Sequence, residues 1–152
     1  SMYIIHTIED FNINDIYFNK SVNNTVITNG KFTRVLFSNS LYTINSLLYL
    51  INFNNITIEQ SYNKYKCYFS QEKYKNLRSN IRNIENTILE TTSIKKEKKF
   101  CISNQLDTGC IRLFENSMPE RDKKFILKIS GIWETDTDYG LTYKFMLMKP
   151  LQ

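Results

Sequence analysis

Apolar and polar positions alternate along most of this chain, and the period changes convincingly only once. At residues 62–69, Tyr65, Cys67 and Phe69 point one way and Lys64, Lys66 and Tyr68 the other, the period of two of a half-buried strand. From Ser70 to about Thr92 the apolar positions become Tyr74, Leu77, Ile81, Ile84 and Ile88. That spacing of three and four predicts one amphipathic helix, around residues 71–91, with Ser70 as its N-cap. Elsewhere the pattern predicts strands: residues 2–8, a hairpin turning on Asn29-Gly30 and running to Phe37, and a long strand over 41–53. Short strands follow at 100–103 and 111–114, then a closing hairpin of 125–133 with 139–148. Strands, one helix and more strands predict a mostly β (α+β) chain. That order fits an OB-like small β-barrel with that helix inserted, as it fits other α+β sheets, and the barrel is the expected plan, formed as a single domain over residues 1–152.

The closing hairpin has one favoured register. A five-residue loop at 134–138 sets Trp133 against Tyr139, Gly131 against Leu141, Ile129 against Tyr143 and Leu127 against Phe145. The other face then pairs Ile126 with Met146, Lys128 with Lys144 and Ser130 with Thr142. A slip by one residue would carry lysines among the core aromatics. The register therefore places two like charges directly opposite, which destabilises a sheet unless an anion lies between them.

Composition changes how these residues are weighed. Ile, Asn, Lys, Tyr and Phe make up 72 of 152 residues, and Ala is absent. These are the amino acids of AT-rich codons, so abundant Asn, Tyr and Lys reflect an AT-rich genome before they reflect chemistry. Ser1 ahead of Met2 reads as a cloning remnant, and no signal peptide or membrane span is expected. Cys67, Cys101 and Cys110 are odd in number and lack metal spacing, so reduced thiols and an intracellular location are expected. With His6 as its single histidine, the chain offers no metal site, no cofactor motif and no catalytic constellation, and a non-enzyme is expected. Glu134, Asp136 and Asp138 read as a solvated hairpin tip.

Charge adds a direction. The formal net charge is +5, yet residues 61–100 alone carry ten cations and four acids. Lys75, Arg78 and Arg82 flank the helix stripe, and Lys64 and Lys66 interleave with Tyr68. Cations set among rings suit single-stranded nucleic acid, whose phosphates they track while bases stack on the rings. The candidate contacts are Arg34, Lys64, Lys66, Lys128 and Lys144 for phosphates, and Tyr42, Tyr68 and Trp133 for bases. Trp133 fits a core position equally well.

Two stretches, residues 30–39 with 41–45 and residues 129–134 with 139–145, carry a resemblance. Gly30-Lys31-Phe32-Thr33-Arg34 and Ile129-Ser130-Gly131-Ile132-Trp133 are similar to small proteins of nucleocytoplasmic large DNA viruses. Those proteins in turn look like phage-type OB-fold single-stranded-DNA-binding proteins. The resemblance implies non-sequence-specific coating of single-stranded DNA in replication, recombination or repair, at a viral replication site in the host cytoplasm or nucleus. Expected partners are single-stranded DNA or RNA and replication proteins, with the chain a monomer or small homo-oligomer and no membrane involved. The acidic tail by which many such proteins recruit enzymes is missing, since the chain ends Met148-Lys149-Pro150-Leu151-Gln152. The rival expectation is a virus-encoded β-domain that binds another protein and no nucleic acid.

Overall fold

The computed structural model describes residues 4–24, 26, 29–115, 117 and 124–148. Their strands are β1 (His6–Thr7), β2 (Ile16–Phe18), β3 (Val22–Asn24), β4 (Gly30–Ser38), β5 (Thr43–Asn45), β6 (Leu47–Ile51), β7 (Thr57–Ser61) and β8 (Lys64–Tyr68). Then come α1 (Lys75–Thr91), β9 (Glu97–Lys99), α2 (Cys101–Asp107), β10 (Cys110–Leu113), β11 (Phe125–Glu134) and β12 (Asp138–Leu147). The architecture is mostly β, α+β, as the alternation predicts, but two of its expected details are corrected. Among the described residues there are two α-helices, and the sheets do not close into a barrel: nine strands form one sheet and β10-β8-β7 a separate one.

β11 organises the larger sheet. One edge pairs with β12 along its whole length. The other edge is shared, Phe125–Ile129 pairing with β6 and Gly131–Glu134 with β4. Ser130 lies at that change of partner, and the β11–β12 register shifts by one residue there. The predicted pairs from Ile126–Met146 through Ile129–Tyr143 are present, Lys128 against Lys144 included. Beyond the bulge they are corrected to Gly131–Thr142, Ile132–Leu141, Trp133–Gly140 and Glu134–Tyr139. An extra residue inverts the alternation. Ile132 and Glu134 therefore turn inward and Trp133 outward, to a half-buried position. Glu134 is no part of a solvated tip: Lys96 Nζ binds its carboxylate at 2.8 Å and the Thr135 carbonyl at 2.7 Å.

Other boundaries also move. The strand expected over 41–53 breaks at Ser46, whose φ of 71° ends β5 and starts β6. Asn29 takes the expected positive φ of 59°, but Gly30 already pairs with Asn24, so the connection between those two strands is longer than the two-residue turn expected. Of the residues between those strands, 25, 27 and 28 lie outside the described residues, as do residues 2 and 3 of the first predicted strand. Ser70 Oγ accepts from the Lys73 N–H at 3.2 Å, capping the turn that leads into α1 rather than α1 itself.

The segment expected as a strand at 100–103 is α2, and its cap comes from far away in sequence. Glu85 of α1 is fully buried, and its carboxylate accepts from the Ile102 and Ser103 N–H groups and the Ser103 hydroxyl at 2.6–2.9 Å. These are the donors a helix N-terminus leaves unpaired. The core holds Ile81, Ile84 and Ile88 of α1, Ile102 and Leu106 of α2, and Leu127, Ile129 and Phe145 of the hairpin. At one end Phe53 stacks on Phe69 at 4.5 Å with Phe125 and Tyr74 edge-on. Among the described residues no helix is long and apolar enough to cross a membrane.

Candidate functional site

β10 bonds to β8 alone, and β12 is joined by β9 only along Asp138–Gly140, so β10 and the rest of β12 each keep an unpaired edge. Those strands lie side by side without a ladder between them. A cleft of about 720 Å³ opens there, bordered by α2. Its cations are Lys66, Arg112 and Lys144, its rings include Tyr68, Phe114 and Tyr143, and α2 contributes Asn104 and Gln105. Among the described residues no carboxylate lines it. Three residues singled out in the sequence, Lys66, Tyr68 and Lys144, thus come together from distant strands.

Strand alternation explains the cationic side. Lys64, Lys66 and Tyr68 are the outward positions of β8, while Tyr65 and Cys67 are buried. Across its two ladders, Lys66 sits opposite Arg112 on β10 and opposite Glu59 on β7. Arg112 escaped the sequence reading because β10 is short and stands outside the basic segment 61–100; only its register against β8 reveals it. Lys64 places its ammonium 5.5 Å from the centre of the Phe114 ring, which is 66% exposed. Tyr68 donates its hydroxyl to Glu59 at 3.2 Å. Among the described residues none of Lys64, Lys66, Arg112, Lys128 or Lys144 has a carboxylate at ion-pair distance. By contrast, Lys96, Lys98 and Lys99 of the basic run at 95–99 are paired with Glu134, Glu90 and Glu97.

Arg34, Lys128, Trp133 and Lys144 share the face of the larger sheet turned away from the core. Val35, Ile129, Ile132 and Phe145 at neighbouring positions are buried in that core. Arg34 is exposed, with its guanidinium 5.7 Å from the centre of the Phe32 ring. The Trp133 ring lies over Gly140, where a Cβ would come within 2.8 Å of it. Burial pushes the nearby Cys101 thiol above its ordinary pKa. Trp133 is therefore anchored on one side and half-open on the other. Tyr42 is not brought to the cleft: it stacks on Phe37 at 5.6 Å and meets His6 Nε2 at 3.3 Å.

Cys101 and Cys110 form no disulfide with each other, and among the described residues no group of three His, Cys, Asp or Glu is placed to hold a metal. The cleft thus joins cations, aromatic rings and the side-chain amides of Asn104 and Gln105. Comparison with protein-family models, with curated proteins and with solved structures finds no match.

Proposed function

We propose that this protein binds single-stranded nucleic acid without catalysis, along the β10–β12 cleft and the adjoining outer face of β11 and β12. One observation carries the reading: the directly opposed cation pair Lys128 with Lys144, with no carboxylate at ion-pair distance among the described residues, beside a cleft whose own cations are Lys66, Arg112 and Lys144. Like charges held opposite cost stability, and a phosphate between them removes that cost. Tyr68 and Phe114 offer ring faces for unstacked bases. The resemblance of residues 30–45 and 129–145 to virus-encoded proteins of the phage single-strand-binding type supports DNA as the strand, and a role in replication, recombination or repair. OB-like ancestry belongs to the same proposal; the strand–helix–strand order supports it, while the sheets stay open.

The test is a titration with single-stranded oligonucleotides at several salt concentrations. Four phosphate contacts predict a log–log salt slope of about −2.8, at about 0.7 per contact for single strands. Absence of binding at physiological salt would favour the protein-interaction alternative instead.

A further inference from the structure

We infer that Gln105 reads the base entering the cleft at the ring position where thymine carries O4 and guanine O6, selecting a carbonyl oxygen there over the amino group that cytosine or adenine carries at the same position. This rests on the cleft being the single-strand site proposed above. α2 carries Gln105 into the cleft wall, where Tyr143 of β12 meets it. The Tyr143 hydroxyl lies 2.5 Å from Gln105 Oε1. The hydroxyl donates to that oxygen, so the amide's oxygen is the end that is held. The same hydroxyl has a weaker second acceptor, the Cys101 carbonyl at 3.3 Å. Burial pushes the Tyr143 pKa up to about 12, which keeps it a donor throughout the neutral range.

With its oxygen engaged, Gln105 offers the cleft only its NH2 group, which has no partner among the described residues. Asn104 beside it is exposed and free to turn either way, so it imposes no choice. Thr108 spends its hydroxyl on the backbone carbonyls of Gln105 and Cys110. The fixed group in the wall is thus a donor. A free glutamine pairs with adenine by using both amide ends, and Tyr143 removes one of them. A donor facing thymine O4 or guanine O6 makes a hydrogen bond; facing the amino group of cytosine or adenine it meets another donor.

Oligothymidylate and oligodeoxycytidylate test this cleanly, since both are pyrimidine strands. The wild-type protein is expected to bind the thymidylate strand about 3–10-fold more tightly, the worth of one hydrogen bond. Tyr143→Phe frees the amide to rotate and should bring the ratio close to one with little loss of affinity for the weaker strand. Gln105→Glu presents an acceptor and should invert the ratio, whatever its added negative charge does to overall affinity. Equal binding of both strands by the wild-type protein overturns the assignment of Gln105, as does a preference that survives both substitutions. Failure to bind either strand removes the underlying reading instead.

Discussion

Lys128 on β11 stands directly opposite Lys144 on β12, and neither ammonium has a carboxylate at ion-pair distance among the described residues. Each lies one position from buried core residues, Leu127 and Ile129 on one strand and Phe145 on the other. The register thus cannot slip to separate them without exposing the core. Replacing both by Gln should leave the fold intact or steadier by up to about 1 kcal/mol, the scale of a like-charge cross-strand pair. The same variant should lower the salt slope of single-strand binding by roughly 1.4, two contacts at about 0.7 each. Urea melts and salt titrations measure the two effects separately, and an unchanged slope would take this face out of the interface.

Glu85 ties α1 to α2 through a buried carboxylate, and its removal should be among the most damaging single changes. Glu85→Ala leaves two amide N–H groups and the Ser103 hydroxyl without their acceptor. At about 1–3 kcal/mol for each buried group so orphaned, a total loss of at least 3 kcal/mol is expected. Burial pushes this carboxyl above the usual glutamate range, and its hydrogen bonds only partly oppose that. Its folded pKa is higher than its unfolded one, so the folded state binds the extra proton. The associated stability is present below the unfolded value and is lost as pH rises through the raised one. Glu85→Gln should remove that part of the pH dependence, which denaturant melts across the acidic range would show.

The strands that alternate strictly were legible in the sequence. Tyr65 and Cys67 are buried and Lys64 and Tyr68 exposed, because period two encodes a half-buried strand locally. The α1 stripe was legible for the same reason at period 3.6. What escaped depends on distant partners. α2 looked like a strand because its cap is Glu85, sixteen residues upstream of its first residue, Cys101. Ser130 gave no sign of a bulge, which follows from β6 and β4 sharing one edge of β11. Half of the cleft was visible as Lys66, Tyr68 and Lys144. Arg112, Gln105 and Tyr143 became visible only when β10, α2 and β12 were brought side by side.

Gly131 tests the bulge and the close approach of β4. A Cβ there would fall 2.3 Å from the Thr33 carbonyl oxygen and 2.6 Å from Cζ of Phe32. The first neighbour is backbone in a paired strand, so relief requires β4 and β11 to separate. Gly131→Ala should therefore destabilise by about 1–3 kcal/mol, as overpacked sites do. It should also alter the emission of Trp133, whose pairing with Phe32 lies two residues away. Wild-type stability in this variant would mean that the two strands lie further apart.

Tyr68 separates chemistry from composition. Ten tyrosines occur in the chain, and most follow from its codon usage. Tyr62 and Tyr68 both end up exposed, but only Tyr68 lines the cleft; Tyr62 sits in the β7–β8 turn with a φ of 56°. Removing a ring on which a base stacks costs about 1–3 kcal/mol of binding, or roughly 5–150-fold in affinity. Tyr68→Ala should show a loss in that range at constant salt, with the salt slope unchanged because no phosphate contact is removed. Tyr68→Phe keeps the ring and drops only the hydroxyl bond to Glu59, so its affinity should stay within about twofold of wild type if the ring carries the contact. Tyr62→Ala should bind as the wild-type protein does. If Tyr68→Ala and Tyr62→Ala bind alike, the cleft's rings are not stacking platforms, and the cations alone would hold the strand.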